Sequence, residues 1–347
     1  MSVTTQSLYF TGPRAVEVRS EELAAPGPGE VQLDLVVSGI SAGTELNVFR
    51  GLAPQWRQSM HPKTRLFSDA NGSDWHWPAR YGYAAVGRIA TLGAGVIHLA
   101  KGELVFAYVP HGRNAVIDAK AVVPLGDIDD PEIGVFFANL NTAYNGLLDA
   151  NIALGADVVV SGLGVIGQLV TRLLRRNGAR QIIAVDGIAG RRQAALAGGA
   201  TTVIDPASGE IAEQVRDLTQ GRGADTVIEV SGAAPALNEA IRIAGFNGTV
   251  VAMSWYGGTF EGLSLSGEFH HNRPRIISSQ VGAVNPFLGP LWSVERRGTI
   301  ALEYLSALAP DLKGFITHRV PLAEAAQGYS LLDQGSPEVM QVLIDYR

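Results

Sequence analysis

The chain has 347 residues, of which 46% are hydrophobic and 17% are charged, and its formal net charge is −6. This composition excludes global disorder, and the acidic balance with scattered basic residues excludes a nucleic-acid partner. There is no cysteine, so disulfides, a cysteine nucleophile and thiolate-ligated metal sites are excluded as well.

The N-terminal segment MSVTTQSLYFTGPRAVEVR has no charged head followed by an apolar core, so it does not resemble an export signal. No stretch of the chain approaches the length of about 18 uninterrupted apolar residues that a membrane-spanning helix needs. We therefore expect a cytoplasmic protein that acts without a membrane partner.

The first part of the chain is predicted to be rich in β-structure, because short β-branched runs alternate with glycine and proline. These runs cover Ala15 to Val18, Glu30 to Val37, Ala84 to Leu92, Glu103 to Val109 and Ala115 to Val123. They predict a compact, barrel-like domain.

From about Pro131 onwards, predicted strands alternate with helical stretches, which is typical of a parallel sheet covered by helices. The predicted strands are Asp157 to Val160, Gln181 to Val185, Thr202 to Ile204, Thr226 to Val230, Thr249 to Met253 and Arg275 to Ser278. They predict an α/β fold with a doubly wound sheet in residues 138–281. Residues 282–347 are too few for a core of their own, so we expect them to complete the first domain, 1–137.

Residues Gly51 to Arg80 have poor periodicity and contain Trp56, Trp75 and Trp77. Aromatic residues disfavour disorder, because each offers a large area to bury. Two interpretations remain open for this segment: a surface loop folded against the barrel, or a lid over a polar substrate.

The segment GLGVIG contains Gly162, Gly164 and Gly167, directly after a predicted strand and at the start of an amphipathic helix. This pattern is the fingerprint of a dinucleotide-binding turn: the first glycine allows the tight turn, the second a close approach to the pyrophosphate, and the third close packing of helix on strand. Val165 and Ile166 then lie at the helix N-terminus, which favours the pyrophosphate. The alternative is the same fold with a glycine turn that binds no nucleotide.

Asp186 ends the next predicted strand, 19 residues beyond Gly167, where an acid binds the adenosine ribose. Its charge would repel a 2′-phosphate, so NAD is favoured as the cofactor over NADP. Arg191 and Arg192 keep NADP open, because an arginine near the ribose can accommodate that phosphate.

Several segments follow one another in an order typical of a known group of enzymes: SGISAGTELNVFRG, RYGYAAVGRI, NTAYNGLLDA, GLGVIG, VIEVSGAAPALNEAIRIAGFNGTVVAMSWYGG and RIISSQVG. In these segments the chain resembles the medium-chain dehydrogenase/reductase superfamily over nearly its whole length. The resemblance implies a GroES-like β-rich catalytic domain, a Rossmann domain, a small-molecule substrate, hydride transfer in the cleft between the domains, and a homodimer or homotetramer.

Zinc-dependent members of the superfamily hold the metal with a cysteine, a histidine and a third ligand before the Rossmann domain. The matching positions here are Ser41 or Ala42, Tyr83, and a position near Ala138. These side chains cannot form the usual tetrahedral site, so we expect no catalytic zinc and no other metal. The chain is in this respect most similar to a zinc-less branch that includes bacteriochlorophyllide 3-hydroxyethyl dehydrogenase, although the resemblance does not extend to that substrate.

Without zinc, side chains must take the hydroxyl proton and stabilise the developing alkoxide. The resemblance places Thr44 where the superfamily relays the proton, Glu45 at the acid beside it, and Tyr83 at a zinc-ligand position. Tyr83 is the first candidate for the acid/base, and this role calls for a pKa depressed by a nearby cation or the oxidised nicotinamide. The alternative is a packed tyrosine whose hydroxyl is bound by Glu45 or by the backbone.

Three further residues are candidates on the substrate side. His76 and His111 are possible acid/base groups, since histidine titrates near neutral pH, although structural roles are commoner for a lone histidine. Asn139, at the domain junction, is a candidate to bind the substrate oxygen, with packing as the competing interpretation.

The remaining cofactor residues are expected beyond the carboxyl ends of strands, where ligands bind in open α/β sheets. The resemblance places the nicotinamide near Met253, Ser254 and Trp255, and adenosine or ribose near Ser231 and Gly232, with Ser279 and Gln280 similarly placed.

The sequence therefore predicts a zinc-independent, NAD-dependent oxidoreductase acting on a secondary alcohol of a polyol, sugar-like or aromatic compound. An NADPH-dependent enoyl or quinone reductase is the main alternative. A regulatory dinucleotide-binding protein without catalysis, and a reaction with tightly held NAD and no net redox change, are the other two.

Overall fold

The protein is described by a computed structural model that covers residues 2–69, 72–257 and 261–347. Contacts divide the chain into two units, Met1–Ala138 with Leu305–Arg347, and Asn139–Tyr304. Within the described ranges, no helix is long and apolar enough to cross a membrane.

The strands, in chain order, are β1 Val3–Gly12, β2 Ala15–Leu23, β3 Glu30–Ile40, β4 Ser59–Met60, β5 Phe67–Ser68, β6 Ala79–Arg80, β7 Ala85–Leu92, β8 Leu104–Ala107, β9 Asn114–Asp118, β10 Val122–Pro124, β11 Asp157–Ser161, β12 Gln181–Val185, β13 Thr202–Ile204, β14 Ala224–Glu229, β15 Ala244–Ala252, β16 Arg275–Ser278, β17 Ile316–Pro321 and β18 Gln341–Asp345.

The helices are α1 Thr44–Phe49, α2 Pro131–Gly134, α3 Phe137–Ala150, α4 Val165–Asn177, α5 Ala189–Ala197, α6 Ile211–Leu218, α7 Ala234–Ile243, α8 Glu268–Asn272, α9 Val294–Ala307, α10 Ala309–Phe315 and α11 Ala325–Asp333. Short 3-10 turns cover Pro54–Trp56, Pro206–Ser208, Pro286–Leu288 and Leu322–Glu324.

The first unit contains two main sheets, with the strand orders β2-β1-β6 and β10-β8-β7-β3-β18-β17, and β9 also pairs with β3. The C-terminal strand β18 lies antiparallel to β3, with Val342 opposite Ile40. Because β18 lies between β3 and β17, its central residues Val342, Leu343 and Ile344 are fully buried. The end of the chain is thus an internal strand of the first unit.

The second unit is built on a six-stranded sheet with the order β13-β12-β11-β14-β15-β16, and the neighbouring strands are parallel. Buried aliphatic residues such as Val159, Ile183, Val227 and Val250 form the core against the helices. Central parallel strands are covered on both faces, which explains why they are continuous apolar runs. The predicted doubly wound sheet is confirmed.

The boundaries of the two units differ from those expected from the sequence. Residues 282–304, which were assigned to the first domain, lie in the second unit. Arg297 explains this placement: its buried guanidinium donates to Asn145 Oδ1 at 2.6 Å and to the carbonyl of Val281 at 2.7 Å. A guanidinium needs several acceptors when it is buried, and α3 and the chain after β16 provide them here.

Two details of the β-rich region were not predicted correctly. The run Ala115 to Val123 is two strands rather than one, because Asp118 forms a turn in which its carboxylate accepts the N–H of Lys120 at 2.8 Å. The first strand, Val3–Gly12, was missed, although it pairs with β2 along nearly its whole length.

Candidate functional site

The glycine-rich turn between β11 and α4 has the geometry of a phosphate-binding turn. Gly162 has a left-handed φ of +96°, and a Cβ there would lie 2.6 Å from the Ser231 nitrogen. A Cβ on Gly167 would lie 1.9 Å from the Gly162 carbonyl oxygen, whereas one on Gly164 would meet nothing within 4 Å. Two glycines are therefore required by packing, and the third leaves open space in front of the helix.

Gly164 is the N-cap of α4 and provides no side-chain cap, and Val165 and Ile166 are partly exposed while the residues around them are buried. The first N–H groups of a helix have no acceptor within the helix. They therefore point a partial positive charge toward this open space, which favours an anion.

Asp186 follows β12 and is tied to the turn by backbone hydrogen bonds. Its Oδ2 accepts the N–H of Leu163 at 2.7 Å, and its Oδ1 accepts the N–H of Ile188 at 2.8 Å. Each carboxylate oxygen keeps a further lone pair, so the side chain can still accept hydrogen bonds from a ligand.

The two arginines near Asp186 differ in their contacts. Arg192 donates to the Asp186 carbonyl at 2.7 Å and forms a 2.8 Å ion pair with Asp205. The Arg191 guanidinium lies 4.0 Å from the Asp186 carboxylate. Arg192 is thus held by a neighbouring acid, while Arg191 lies beside the residue expected to bind the ribose.

A cavity of about 560 Å³ opens beside this turn, with Gly162, Asp186, Ser231 and Arg242 in its lining. Its size lies within the range of about 300–1,000 Å³ that is typical of small-molecule sites. The lining comes from the carboxyl ends of β11, β12 and β14, which is where open α/β sheets bind ligands.

Glu229, at the end of β14, was not singled out from the sequence. It is fully buried, and its Oε1 accepts both the N–H of Ser231, at 2.8 Å, and the Ser231 hydroxyl. Its Oε2 accepts the Tyr256 hydroxyl, and burial, followed by this carboxylate, raises the pKa of Tyr256. Glu229 therefore joins the end of β14 to the segment after β15. The acid at a strand end in VIEVSG was the available signal.

The segment after β15 contains Met253, Ser254 and Trp255, all partly exposed. Met253 packs on α3, where a Cβ on Gly146 would lie 2.4 Å from its terminal methyl carbon. Gly232 lies close to this segment, since a Cβ on it would be 3.8 Å from the Ser254 hydroxyl oxygen. The ends of β14 and β15 thus meet, as the sequence predicts for neighbouring strands.

Ser279 and Gln280 follow β16 and make contacts within the second unit. The Ser279 hydroxyl donates to Asp149 Oδ2 at 2.6 Å, and burial raises the pKa of Asp149. The Gln280 side-chain oxygen accepts the N–H of Gly282 at 2.7 Å. Gln280 therefore stabilises its own loop in this structure. Arg297, which was missed, binds the adjacent Val281 carbonyl.

In the first unit, Tyr83 is partly exposed and its hydroxyl donates to Ser41 Oγ at 2.5 Å. Burial, followed by the Glu45 carboxylate, raises the pKa of Tyr83 to about 12, and hydrogen bonds to Ser41 and Thr44 limit the rise. Thr44 begins α1 and is also partly exposed. These neighbours do not supply the depressed pKa expected for Tyr83. They make Tyr83 a proton donor at neutral pH.

Glu45 lies behind these hydroxyls and is fully buried. Its Oε1 accepts the N–H of Ser41 at 2.9 Å, and its Oε2 lies 2.8 Å from His111 Nε2 and accepts the Tyr329 hydroxyl. A buried carboxylate requires such partners, because desolvation penalises an unpaired charge. Glu45 therefore positions the Ser41 backbone and does not bind Tyr83 directly.

His111 continues this network into the sheet. Its Nδ1 lies 2.6 Å from Ser38 Oγ, which lies 2.6 Å from the Tyr346 hydroxyl. His111 is fully buried against Gly82, where a Cβ would come within 2.6 Å of the imidazole. Of the two candidate histidines, the structure brings His111 to the acid beside Tyr83. Tyr329, Tyr346 and Ser38 were not predicted.

His76 and Asn139 lie elsewhere. His76 is exposed, and its Nδ1 lies 3.3 Å from the Ser73 hydroxyl. Asn139 is partly exposed in α3, at the first residue of the second unit. The contacts within the first unit do not connect His76 to the Glu45 network.

The Trp-containing segment is folded rather than structureless. It includes the 3-10 turn Pro54–Trp56 and the short hairpin of β4 and β5, and β6 pairs with β1. Trp56 stacks on Trp77 with ring centroids 3.6 Å apart. The segment is therefore a built part of the first unit.

Comparison with known proteins identifies the group to which these two units belong. A family profile described as zinc-binding dehydrogenase matches residues 165–291. The D-guloside 3-dehydrogenase of Escherichia coli (strain K12) is 29% identical over 341 residues, which cover 96% of this chain and 97% of that protein. The chain belongs to the medium-chain dehydrogenase/reductase superfamily.

Solved structures of the medium-chain dehydrogenase/reductase type show the same fold. A protein from Sinorhizobium meliloti 1021 bound to NADP superposes with a TM-score of 0.77 at 20% identity, over 99% of each chain. An alcohol dehydrogenase from Escherichia coli CFT073 in complex with NADH superposes with a TM-score of 0.79 at 18% identity, also over 99% of each. The predicted combination of a GroES-like β-rich domain and a Rossmann domain is confirmed.

The name of the matching profile raises the question of zinc, which the donor groups of this medium-chain dehydrogenase/reductase address. Ser41, Tyr83 and Ala138 stand at the matching ligand positions and supply a hydroxyl, a phenol and a methyl group. In the described part of the chain, no three histidine or acidic side chains are grouped as metal ligands. Catalytic zinc takes nitrogen, sulfur or carboxylate ligands, so these residues do not fit it.

Proposed function

We propose that this protein is a zinc-independent, NAD-dependent oxidoreductase that transfers a hydride between the nicotinamide and a secondary alcohol or its ketone. The proposed substrate is a polyol, a sugar-like compound or an aromatic compound. The observation that carries the proposal is the turn before α4, where Gly164 leaves open space at a helix N-terminus and Asp186 lies beside it.

The residues of the second unit fit a dinucleotide. The N–H groups at the start of α4 would hold the pyrophosphate, Asp186 the adenosine ribose, and the segment with Ser254 and Trp255 the nicotinamide end. When bound, NAD supplies the hydride acceptor. The carboxylate of Asp186 supports NAD over NADP, because it would repel a 2′-phosphate.

The hydroxyls of the first unit fit the proton transfer. Tyr83 holds its proton at neutral pH, since its pKa is raised to about 12. In ketone reduction, Ser41 donates its hydroxyl proton to the new alkoxide oxygen and receives the proton of Tyr83. In alcohol oxidation the same protons move in reverse, and Glu45 acts as a positioning residue for Ser41.

The comparison with the D-guloside 3-dehydrogenase supports a sugar hydroxyl as the reacting group, since that relative aligns along almost the whole chain. The lack of zinc is supported by the donor groups at the ligand positions, which replace nitrogen and sulfur by hydroxyls and a methyl group.

An NADPH-dependent enoyl or quinone reductase is the second candidate. One observation favours it: Arg191 lies 4.0 Å from Asp186, where a guanidinium can also accept a 2′-phosphate. Arg192 does not add to this argument, because it is paired with Asp205.

We further propose a homodimer or homotetramer. β16 is the edge strand of the second unit's sheet and is mostly exposed, and an open edge can pair with the same strand of a second copy. Light scattering of the purified protein tests this assembly.

The function is tested by following absorbance at 340 nm while the protein, with EDTA, is mixed with NAD or NADP and a panel of methyl glycosides, polyols and secondary alcohols. NADH formation that resists the chelator is expected. No alcohol oxidation, together with NADPH consumption by an enone or quinone, would replace the first proposal by the second.

A further inference from the structure

Five aromatic rings of the first unit form a continuous series, the aromatic ladder: Trp77, Trp56, Trp75, Tyr81 and Tyr83. Trp77 stacks on Trp56 at 3.6 Å with an interplanar angle of 14°. The following centroid distances are 5.2 Å to Trp75, 5.3 Å to Tyr81 and 6.3 Å to Tyr83. The ladder therefore connects the Trp-containing segment to the proposed proton donor.

The reacting end of the ladder is held firmly in place. Tyr83 donates to Ser41, and the Tyr81 carbonyl accepts the N–H of His111 at 3.2 Å. Burial raises the pKa of Tyr81, as it does for Tyr83. Trp75 is anchored through its backbone N–H, which donates to the Gln55 carbonyl at 3.0 Å. Rings fixed in this way lose little further freedom when a ligand binds.

The ladder is not an ordinary hydrophobic core, because Trp56, Trp75, Trp77 and Tyr81 all remain partly exposed. A monomeric protein usually buries such large rings, and exposed aromatic groups often mark binding sites.

Polar groups flank the exposed rings. Asp74 and His76, on either side of Trp75, are both exposed, and the Asp74 carboxylate accepts the Met60 N–H at 3.1 Å. The combination of an aromatic face with neighbouring carboxylate and imidazole groups matches a ligand that has an apolar face and polar edges. A pyranose ring has this character, with axial C–H bonds on a face and hydroxyls around its rim.

We propose that Trp75 and Tyr81 form a stacking platform for the pyranose ring of a glycoside substrate, with the stack of Trp56 and Trp77 supporting Trp75 from behind. The platform deepens the proposed function and rests on it, since it places the ring one or two rungs from Tyr83, which takes part in the proton transfer. It selects cyclic glycosides over open-chain polyols, because a flexible chain has no preformed C–H face and must be ordered on binding.

The test compares the variants Trp75→Leu and Trp75→Phe with the wild type. The substrates are methyl hexopyranosides and 2,3-butanediol, which has a secondary hydroxyl but no ring. For an accepted methyl hexopyranoside, Trp75→Leu is expected to raise KM about 10-fold with kcat changed by less than about 2-fold, while Trp75→Phe retains most of the affinity. The kcat/KM for 2,3-butanediol is expected to change by less than about 2-fold.

Trp292→Phe is the matched control. Trp292 lies in the second unit with the Arg296 guanidinium 4.4 Å from its ring, so its replacement removes one indole without touching the ladder. Thermal unfolding checks that each variant is folded. If Trp75→Leu does not fold, Trp75→Phe and the fluorescence titration below still decide the question.

Titration of indole fluorescence with methyl hexopyranosides, without dinucleotide, measures binding apart from turnover. Saturable quenching that is lost in Trp75→Leu but kept in Trp292→Phe supports the platform. If the wild type binds glycosides in this way but oxidises no alcohol, the proposed function fails and the binding site stands. If the wild type oxidises alcohols and the Trp75 variants lose glycosides and 2,3-butanediol equally, or lose neither, the platform is refuted.

Discussion

Replacing Gly164 by alanine separates nucleotide binding from folding. Gly164 has φ −67° and ψ −171°, an extended conformation that alanine adopts freely, and a Cβ there meets nothing within 4 Å. The free energy of unfolding should therefore change by less than about 0.5 kcal/mol. The new methyl group would occupy the space where a pyrophosphate approaches the start of α4.

The expected cost in binding follows from that position. A methyl group that prevents close approach of a phosphate to backbone N–H groups should weaken NADH binding at least about 10-fold, or about 1.4 kcal/mol. Calorimetric titration gives the dissociation constant, and denaturant unfolding gives the stability of the same preparation.

Two further glycines provide the comparison. Gly167→Ala should lose both binding and stability, because its Cβ would lie 1.9 Å from a backbone oxygen. Gly314→Ala should change neither property appreciably, because Gly314 lies in α10 of the first unit and its Cβ meets nothing within 4 Å. An unchanged NADH affinity in Gly164→Ala would refute the assignment of this turn to the pyrophosphate.

Three other changes test the remaining contacts. Tyr83→Phe should lower kcat about 100-fold or more; in the wild type, oxidation should rise with pH to at least about pH 10, whereas ketone reduction should stay constant from about pH 6 to 9, because a raised pKa keeps Tyr83 protonated there. A plateau of the oxidation rate near neutral pH would contradict this assignment. Tyr329→Phe removes a donor to the buried Glu45 and should lower the free energy of unfolding by about 1.5–3 kcal/mol in urea titrations; a change below about 0.5 kcal/mol would show that this hydrogen bond contributes little. Asp186→Ser should shift the ratio of kcat/KM values toward NADP at least about 10-fold, and an unchanged ratio would mean that Asp186 does not face the 2′-oxygen.

The second unit follows closely from local sequence signals. β12, β13 and β16 begin and end at the predicted residues. Their apolar runs are short and bounded by turn residues, and parallel strands covered on both faces leave little ambiguity. The glycine turn is equally local, because the close contacts of Gly162 and Gly167 involve neighbouring elements of one β-α-β unit and the adjacent strand.

The environment of Tyr83 followed from the sequence only in part. The resemblance brought Tyr83, Thr44 and Glu45 forward, but it did not indicate that Ser41 accepts the Tyr83 hydroxyl or that the pKa of Tyr83 is raised. Both depend on burial and on the direction of side chains, which a linear pattern does not contain.

The sequence by itself determined the α/β class, the doubly wound sheet, the dinucleotide fingerprint and the lack of thiolate ligands, since each depends on composition or on short, regular spacings. Only the tertiary structure decided that residues 282–304 join the second unit, that the Trp-containing segment forms a ladder ending at Tyr83, and that Glu45 binds His111 and Tyr329. Glu45 and Tyr329 lie 284 residues apart in the chain. A buried carboxylate must find its donors wherever the fold brings them, and no local pattern records which distant residues those will be.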